Sequence, residues 1–164
     1  MKNKNRGAKD RKVDPGVNEV VAALTKAYWM EIETVINYIS NSIDLDGVRA
    51  EEIKKSLEVD IAQELVHAQS LAKRIKELGG RIPGSMAFRP GQDTLQPPKR
   101  STDVKAVILG VIDAENAACD HYNTVIRACE GKDYVTQDLC IRLLGEEEAH
   151  RREFRGFLLE YTGK

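Results

Sequence analysis

Apolar side chains recur every three or four positions through four long stretches of this 164-residue chain. That spacing lines one face of an α-helix. The first stretch opens at Asp14-Pro15, an N-cap acceptor followed by a proline at the first helical position, and runs to about Ser42. Its stripe is Val17, Val20, Val21, Leu24, Tyr28, Val35 and Tyr38. Asp44–Gly47 reads as a turn. A second helix is predicted from about Val48 to Leu78, buried through Ile53, Leu57, Ile61, Leu71 and Ile75, and Gly79-Gly80 ends it. A third starts near Thr102-Asp103 and continues to Glu130. Its stripe is Val104, Val107, Ile108, Val111, Ile112, Ala118, Tyr122, Val125 and Ile126. Gly131-Lys132-Asp133 reverses the chain into a fourth helix, about Tyr134 to Tyr161, buried through Leu139, Leu143, Leu144, Phe154, Phe157 and Leu158.

Residues 81–101 hold four of the five prolines and read as a connection rather than a helix. Helices of about 28 residues are about 42 Å long at 1.5 Å per residue. Short turns make the first and second helices antiparallel, and likewise the third and fourth. The 21-residue link is long enough to travel back along the whole bundle, leaving the second and third helices parallel. The expected fold is all-α, a four-helix bundle with a long crossover between the second and third helices.

Composition agrees with helices over a β-sandwich, since aromatics make up only 5% of the chain. A hydrophobic share of 41% argues against wholesale disorder. The 25 basic and 26 acidic residues leave a net charge of −1 and exclude an extreme polyelectrolyte. No apolar run approaches the roughly 18–20 residues of a membrane span. The basic start MKNKNRGAKDRK is followed by no apolar segment, so a cytoplasmic location is expected. Residues 1–13 form a basic arm, expected to be disordered, ahead of a bundle domain at 14–164. The arm reads either as a solubilising tail or as a contact for DNA phosphates. Three cysteines, at 119, 129 and 140, are too few for a disulfide scaffold.

The informative residues are acids and histidines inside the apolar stripes. Glu31 lies between Tyr28 and Val35, and Glu64 between Ile61 and Ala68, with His67 three residues on. Glu115 follows Ile112, and Glu147 follows Leu144, with His150 three residues on. Residues three apart share a helix face, so each Glu-x-x-His pair aims two side chains into the same interior. Glu31 to Glu64 spans 33 residues and Glu115 to Glu147 spans 32, so all six can meet near mid-bundle. Four buried carboxylates repel unless cations lie among them. Two divalent metals would balance them, +4 against −4. Glu33, Glu146 and Glu148 are expected to face solvent or neighbouring subunits, and His121 to be a surface or interface residue.

Glu31, Glu64-x-x-His67, Glu115 and Glu147-x-x-His150 resemble the di-iron carboxylate site of the ferritin-like superfamily, and most of all that of the bacterioferritin-related, Dps-like ferritins of thioferritin type. The resemblance covers residues 15–161. It implies that Glu64 and Glu147 bridge two metals, that Glu31 and Glu115 are terminal ligands, and that His67 and His150 complete one metal each. Two Fe ions per subunit are the implied metals, with Mn or Zn as substitutes. Tyr38 matches a tyrosine near the bacterioferritin site and reads either as packing or as a hydrogen-bond partner or electron source. Bacterioferritin has a haem-ligating Met after the first bridging Glu; Leu65 stands there, so no haem is expected. Only 14 residues follow His150, too few for the fifth helix of 24-subunit ferritins, which favours a dodecameric shell. Typical Dps proteins build their iron sites between subunits, whereas this set is complete within one chain. The thioferritin type also carries a cysteine pair beside the metals, here Cys119 and Cys140, with Cys129 as an alternative partner and core filling as the plainer reading.

The resemblance implies a ferroxidase that stores and detoxifies iron, oxidising Fe(II) with hydrogen peroxide or dioxygen and protecting against oxidative stress. Two alternatives are a di-metal peroxidase or catalase using Fe or Mn without mineral storage, and a nucleoid-binding Dps-type protein.

Overall fold

The computed structural model of the chain describes residues 15–162. Helix α1 spans Pro15–Asp44, α2 Glu51–Glu77, α3 Val104–Cys129 and α4 Tyr134–Thr162. These bounds follow the apolar stripes to within three residues at each end. The first turn is tighter than expected, because Val48–Ala50 forms a separate 3-10 turn before α2. Gly47, with φ of 99°, makes the reversal that a residue with a Cβ would resist. At α3, the Asp103 side chain accepts a hydrogen bond from the Ala106 amide and caps the first turn. The cap proposed at Asp14 and the arm at 1–13 lie outside the described residues.

Helix α1 packs along α2, and α3 along α4; the two hairpins then meet through α1 against α3. The crossover is more ordered than a bare loop, with single 3-10 turns at Ser85–Ala87 and Asp93–Leu95. Its path is set by polar residues on α1. Glu33 Oε1 accepts the amides of Gly91 and Gln92 at 2.7 and 2.8 Å. Asn37 donates to the Gln92 side chain, and Asn41 Nδ2 donates to the Leu95 carbonyl at 2.9 Å. The Asp46 amide donates to the Ser101 carbonyl at 2.9 Å. Successive anchors at 33, 37, 41 and 46 carry the crossover along the C-terminal half of α1 and past its end, which leaves α2 and α3 parallel. Glu33 is therefore buried and structural, contrary to the expectation that it faces solvent or a neighbour. Its carboxylate satisfies two loop amides that would otherwise be orphaned on a helix surface.

The apolar interior is divided in two. One cluster, at the Leu45 end, gathers Tyr38, Leu57, Leu95, Ile108, Val111 and Phe154. The other, at the Leu78 end, gathers Leu24, Leu71, Ile75, Tyr122, Val125 and Leu143. Between them lies a layer of buried acids and histidines, and that layer is where the chemistry sits.

Candidate metal centre

All six side chains picked out by spacing reach this layer. Glu31, Glu64, His67, Glu115, Glu147 and His150 are each at most 5% exposed. They form two groups of four. Glu31, Glu64, His67 and Glu147 offer donor atoms within 4.8 Å of one another, and so do Glu64, Glu115, Glu147 and His150. Glu64 and Glu147 belong to both groups, so each group has two shared carboxylates, one private carboxylate and one imidazole.

Several of the donor atoms face only one another. Both oxygens of Glu64, Oε1 of Glu147 and Nδ1 of both His67 and His150 are buried without a hydrogen bond. His67 Nδ1 is 2.9 Å from Glu147 Oε1 and 3.3 Å from Glu64 Oε2. His150 Nδ1 is 3.2 Å from Glu64 Oε1. Buried polar atoms are nearly always paired, so a convergent set of unpaired ones needs an occupant. Hard carboxylate oxygens with one borderline imidazole per group suit iron, manganese or zinc. The residues fit two divalent metals.

The other ring nitrogens hold the imidazoles in place. His67 Nε2 donates to Glu146 Oε2 at 2.8 Å, and His150 Nε2 donates to Gln63 Oε1 at 2.5 Å. Both acceptors lie one residue before a shared glutamate. A protonated Nε2 leaves Nδ1 as the ligating nitrogen. Glu146, expected to face solvent or a neighbouring subunit, is thus half-exposed yet engaged with the centre. Glu148 is exposed and pairs with Arg151. His121 lies outside both groups, with Nε2 against the Ala23 carbonyl at 2.9 Å.

The private carboxylates are held by tyrosines from the opposite hairpin. Tyr38 on α1 donates to Glu115 Oε1 on α3 at 2.5 Å. Tyr122 on α3 donates to Glu31 Oε1 on α1. Tyr38 therefore packs in the core and also holds an acid of the centre. Tyr122, read from sequence only as packing, has the same role. The pattern that could have revealed it is the repeated spacing, Glu31 to Tyr38 and Glu115 to Tyr122, both seven residues.

Burial foremost, with repulsion from Glu147 and Glu64, holds Glu31 and Glu115 well above the usual carboxylate range. Burial pushes Glu64 and Glu147 the same way, but contacts with the neighbouring carboxyls and imidazoles outweigh it and bring both down. Burial opposes charge on the two histidines, yet the surrounding acids prevail, raising His67 strongly and His150 to about 10. Burial and the neighbouring charges thus favour the protonated form of Glu31, Glu115, His67 and His150 and the ionised form of Glu64 and Glu147.

Cys119, Cys129 and Cys140 are all buried, each as a free thiol. Cys140 packs with Cys129 in the Leu78-end cluster, and burial foremost pushes its thiol up to about 12. Cys119 stands outside that cluster and feels Arg151 and Glu147. Leu65 is exposed on α2. Among the described residues, no helix is long and apolar enough to cross a membrane.

A four-helix bundle with one crossover and two Glu-x-x-His motifs facing inward is the architecture of di-metal carboxylate proteins. Residues 21–161 match the ferritin-like domain model, and the chain belongs to that family. It is 30% identical over 133 residues to a bacterioferritin of Desulfovibrio desulfuricans, covering 80% of this chain and 70% of the relative. It is 28% identical over 159 residues to the DNA protection during starvation protein of Pyrococcus furiosus, covering 90% and 80%. Its fold matches a dodecameric thioferritin, the bacterioferritin-related protein of Bacteroides fragilis, with a TM-score of 0.77 and 24% identity over 92% of this chain and 89% of that one.

Proposed function

We propose that the chain is a ferroxidase that oxidises Fe(II) at this centre and stores the product. One iron is held by Glu31, His67 and the shared Glu64 and Glu147, the other by Glu115, His150 and the same two acids. Each Fe(II) gives up one electron; a peroxide molecule takes both, together with two protons, and leaves as two waters. With dioxygen as acceptor, the same two electrons and two protons yield hydrogen peroxide. The carrying observation is the pair of four-donor groups sharing Glu64 and Glu147, because a two-electron acceptor needs two iron ions side by side. The chain's own residues hold the ions, keep Nδ1 free for ligation, and anchor the private acids through Tyr38 and Tyr122.

Peroxide consumption would make the protein protective under oxidative stress, and a dodecameric shell like that of the thioferritin would house the Fe(III) mineral. The basic segment 1–13 is where contact with DNA phosphates would rest. Replacing Glu64 and Glu147 together by Ala should abolish rapid Fe(II) oxidation in stopped-flow absorbance, and oxidation at the wild-type rate would refute the assignment. Iron retained after aerobic loading far beyond two per chain supports storage. Retention of the centre's ions alone would point to a di-metal peroxidase instead.

A further inference from the structure

The two halves of the centre match in their donors and differ directly behind them. Each group takes the shared Glu64 and Glu147, one private glutamate and one imidazole whose Nδ1 is free to ligate. The residue one position before each shared glutamate receives the other ring nitrogen across the bundle. Glu146 on α4 accepts from His67 Nε2 at 2.8 Å, and Gln63 on α2 accepts from His150 Nε2 at 2.5 Å. The geometry is matched while the chemistry is not. A carboxylate acceptor is charged, draws on the Nε2 proton and makes Nδ1 the stronger donor. A carboxamide is neutral, so it orients the ring and does little to its basicity. The buried Asp60 does not restore the balance at His150. Its Oδ1 lies 3.7 Å from Nε2, too far for a hydrogen bond, and Gln63 already holds that nitrogen.

We propose that this one difference, glutamate at 146 against glutamine at 63, makes the two metal positions unequal: the position of Glu31 and His67 retains its ion, and the position of Glu115 and His150 exchanges its ion with solution. Glu146 and Gln63 act as positioning residues, since neither belongs to a donor group. The inequality rests on the ligand assignment of the proposed function and not on oxidation. With the ferroxidase reading added, iron turns over through the His150 position.

The test is the release of Zn(II) from the full-length assembly, loaded with two ions per chain and mixed with an excess of a chromogenic chelator. Wild type should release its ions in two phases of equal amplitude, with rates about 10–100-fold apart. Gln63→Glu should slow the faster phase to the pace of the slower one. Glu146→Gln should speed the slower phase to the pace of the faster one. Both side chains are exposed, and each swap keeps the length and an acceptor oxygen, so the fold and the ring's hydrogen bond are retained. A purely orienting role would leave both rates unmoved. A single phase in wild type, or a rate that either swap leaves unchanged, would overturn the proposal. If Glu64→Ala combined with Glu147→Ala still binds two ions, the centre's assignment fails instead. Repeated additions of Fe(II) should be oxidised progressively more slowly by Gln63→Glu than by wild type; an equal pace would overturn the turnover role and leave the Zn(II) result standing.

Discussion

Metal loading should expel up to about four protons per centre, and that bound follows from the side chains that meet there. Burial favours the protonated form of Glu31 and Glu115, and the surrounding acids favour the imidazolium form of His67 and His150. Two divalent ions bring four positive charges, and their ligands must be deprotonated. Up to about four protons therefore leave as two ions enter. Ordinary glutamates and histidines would release only about 0.5 proton in total at pH 7, because free imidazoles with a pKa near 6.5 are about one quarter protonated there. The two cases differ by up to about eightfold. The direction is toward tighter binding at higher pH: with the full four protons in the balance, the overall two-metal constant rises by at most about 10⁴-fold per pH unit, or about 5.4 kcal/mol. Zn(II), which is redox-inert, separates binding from oxidation. Titration calorimetry in buffers of different protonation enthalpy gives the proton count over the first two equivalents at pH 7. Fewer than one proton per pair of ions would refute the charge state derived for the empty centre.

Two further outcomes test how the centre is supported. Gly110→Ala should destabilise the protein by about 1–3 kcal/mol in thermal or denaturant unfolding, because the added Cβ would lie 2.4 Å from the Thr94 carbonyl and 3.0 Å from Leu95 Cα. Alanine is the better helix former by about 1 kcal/mol, so a stabilised variant would show that the crossover does not press on α3 there. Glu146→Ala should weaken one metal position about 10–100-fold, that of His67, and spare the position of His150, whose Nε2 is held by Gln63. Equal loss at both positions in a Co(II) titration would count against separate imidazole supports.

The six central residues were legible because both halves of the problem are local. A polar residue inside a helical stripe is visible within one turn, and its height in the bundle follows from counting to the nearest reversal. Leu24, Tyr38, Val111 and Phe154 were placed in the core by the same periodicity. What escaped were supporting residues whose partners lie on another element. Glu33 has no distinctive neighbours in sequence; only the route of the crossover brings Gly91 and Gln92 to its carboxylate. Glu146 meets His67 across 79 residues, and Tyr122 meets Glu31 across 91. Asp60 could not be told from a solvated acid until the space around it was known.

The missed residues also show where the two halves of the centre differ. Each hairpin contributes a glutamate with a tyrosine seven residues on, and a Glu-x-x-His motif, so the donor groups are near copies related by an approximate twofold. Outside the donors the equivalence breaks. The residue before the shared glutamate is neutral Gln63 on α2 and the carboxylate Glu146 on α4, so His67 has an acidic partner and His150 an amide. A carboxylate behind an imidazole raises its basicity and strengthens its hold on a metal, whereas an amide orients the ring with less effect on its charge. The position with the more basic imidazole should hold its ion longer, and the other should exchange it more readily. Asp60 stands on the His150 side alone, its counterpart four residues before Glu147 being Leu143. The acid that His150 lacks at hydrogen-bond distance therefore stands 3.7 Å from its Nε2, a weaker hold than the 2.8 Å contact of Glu146 on His67.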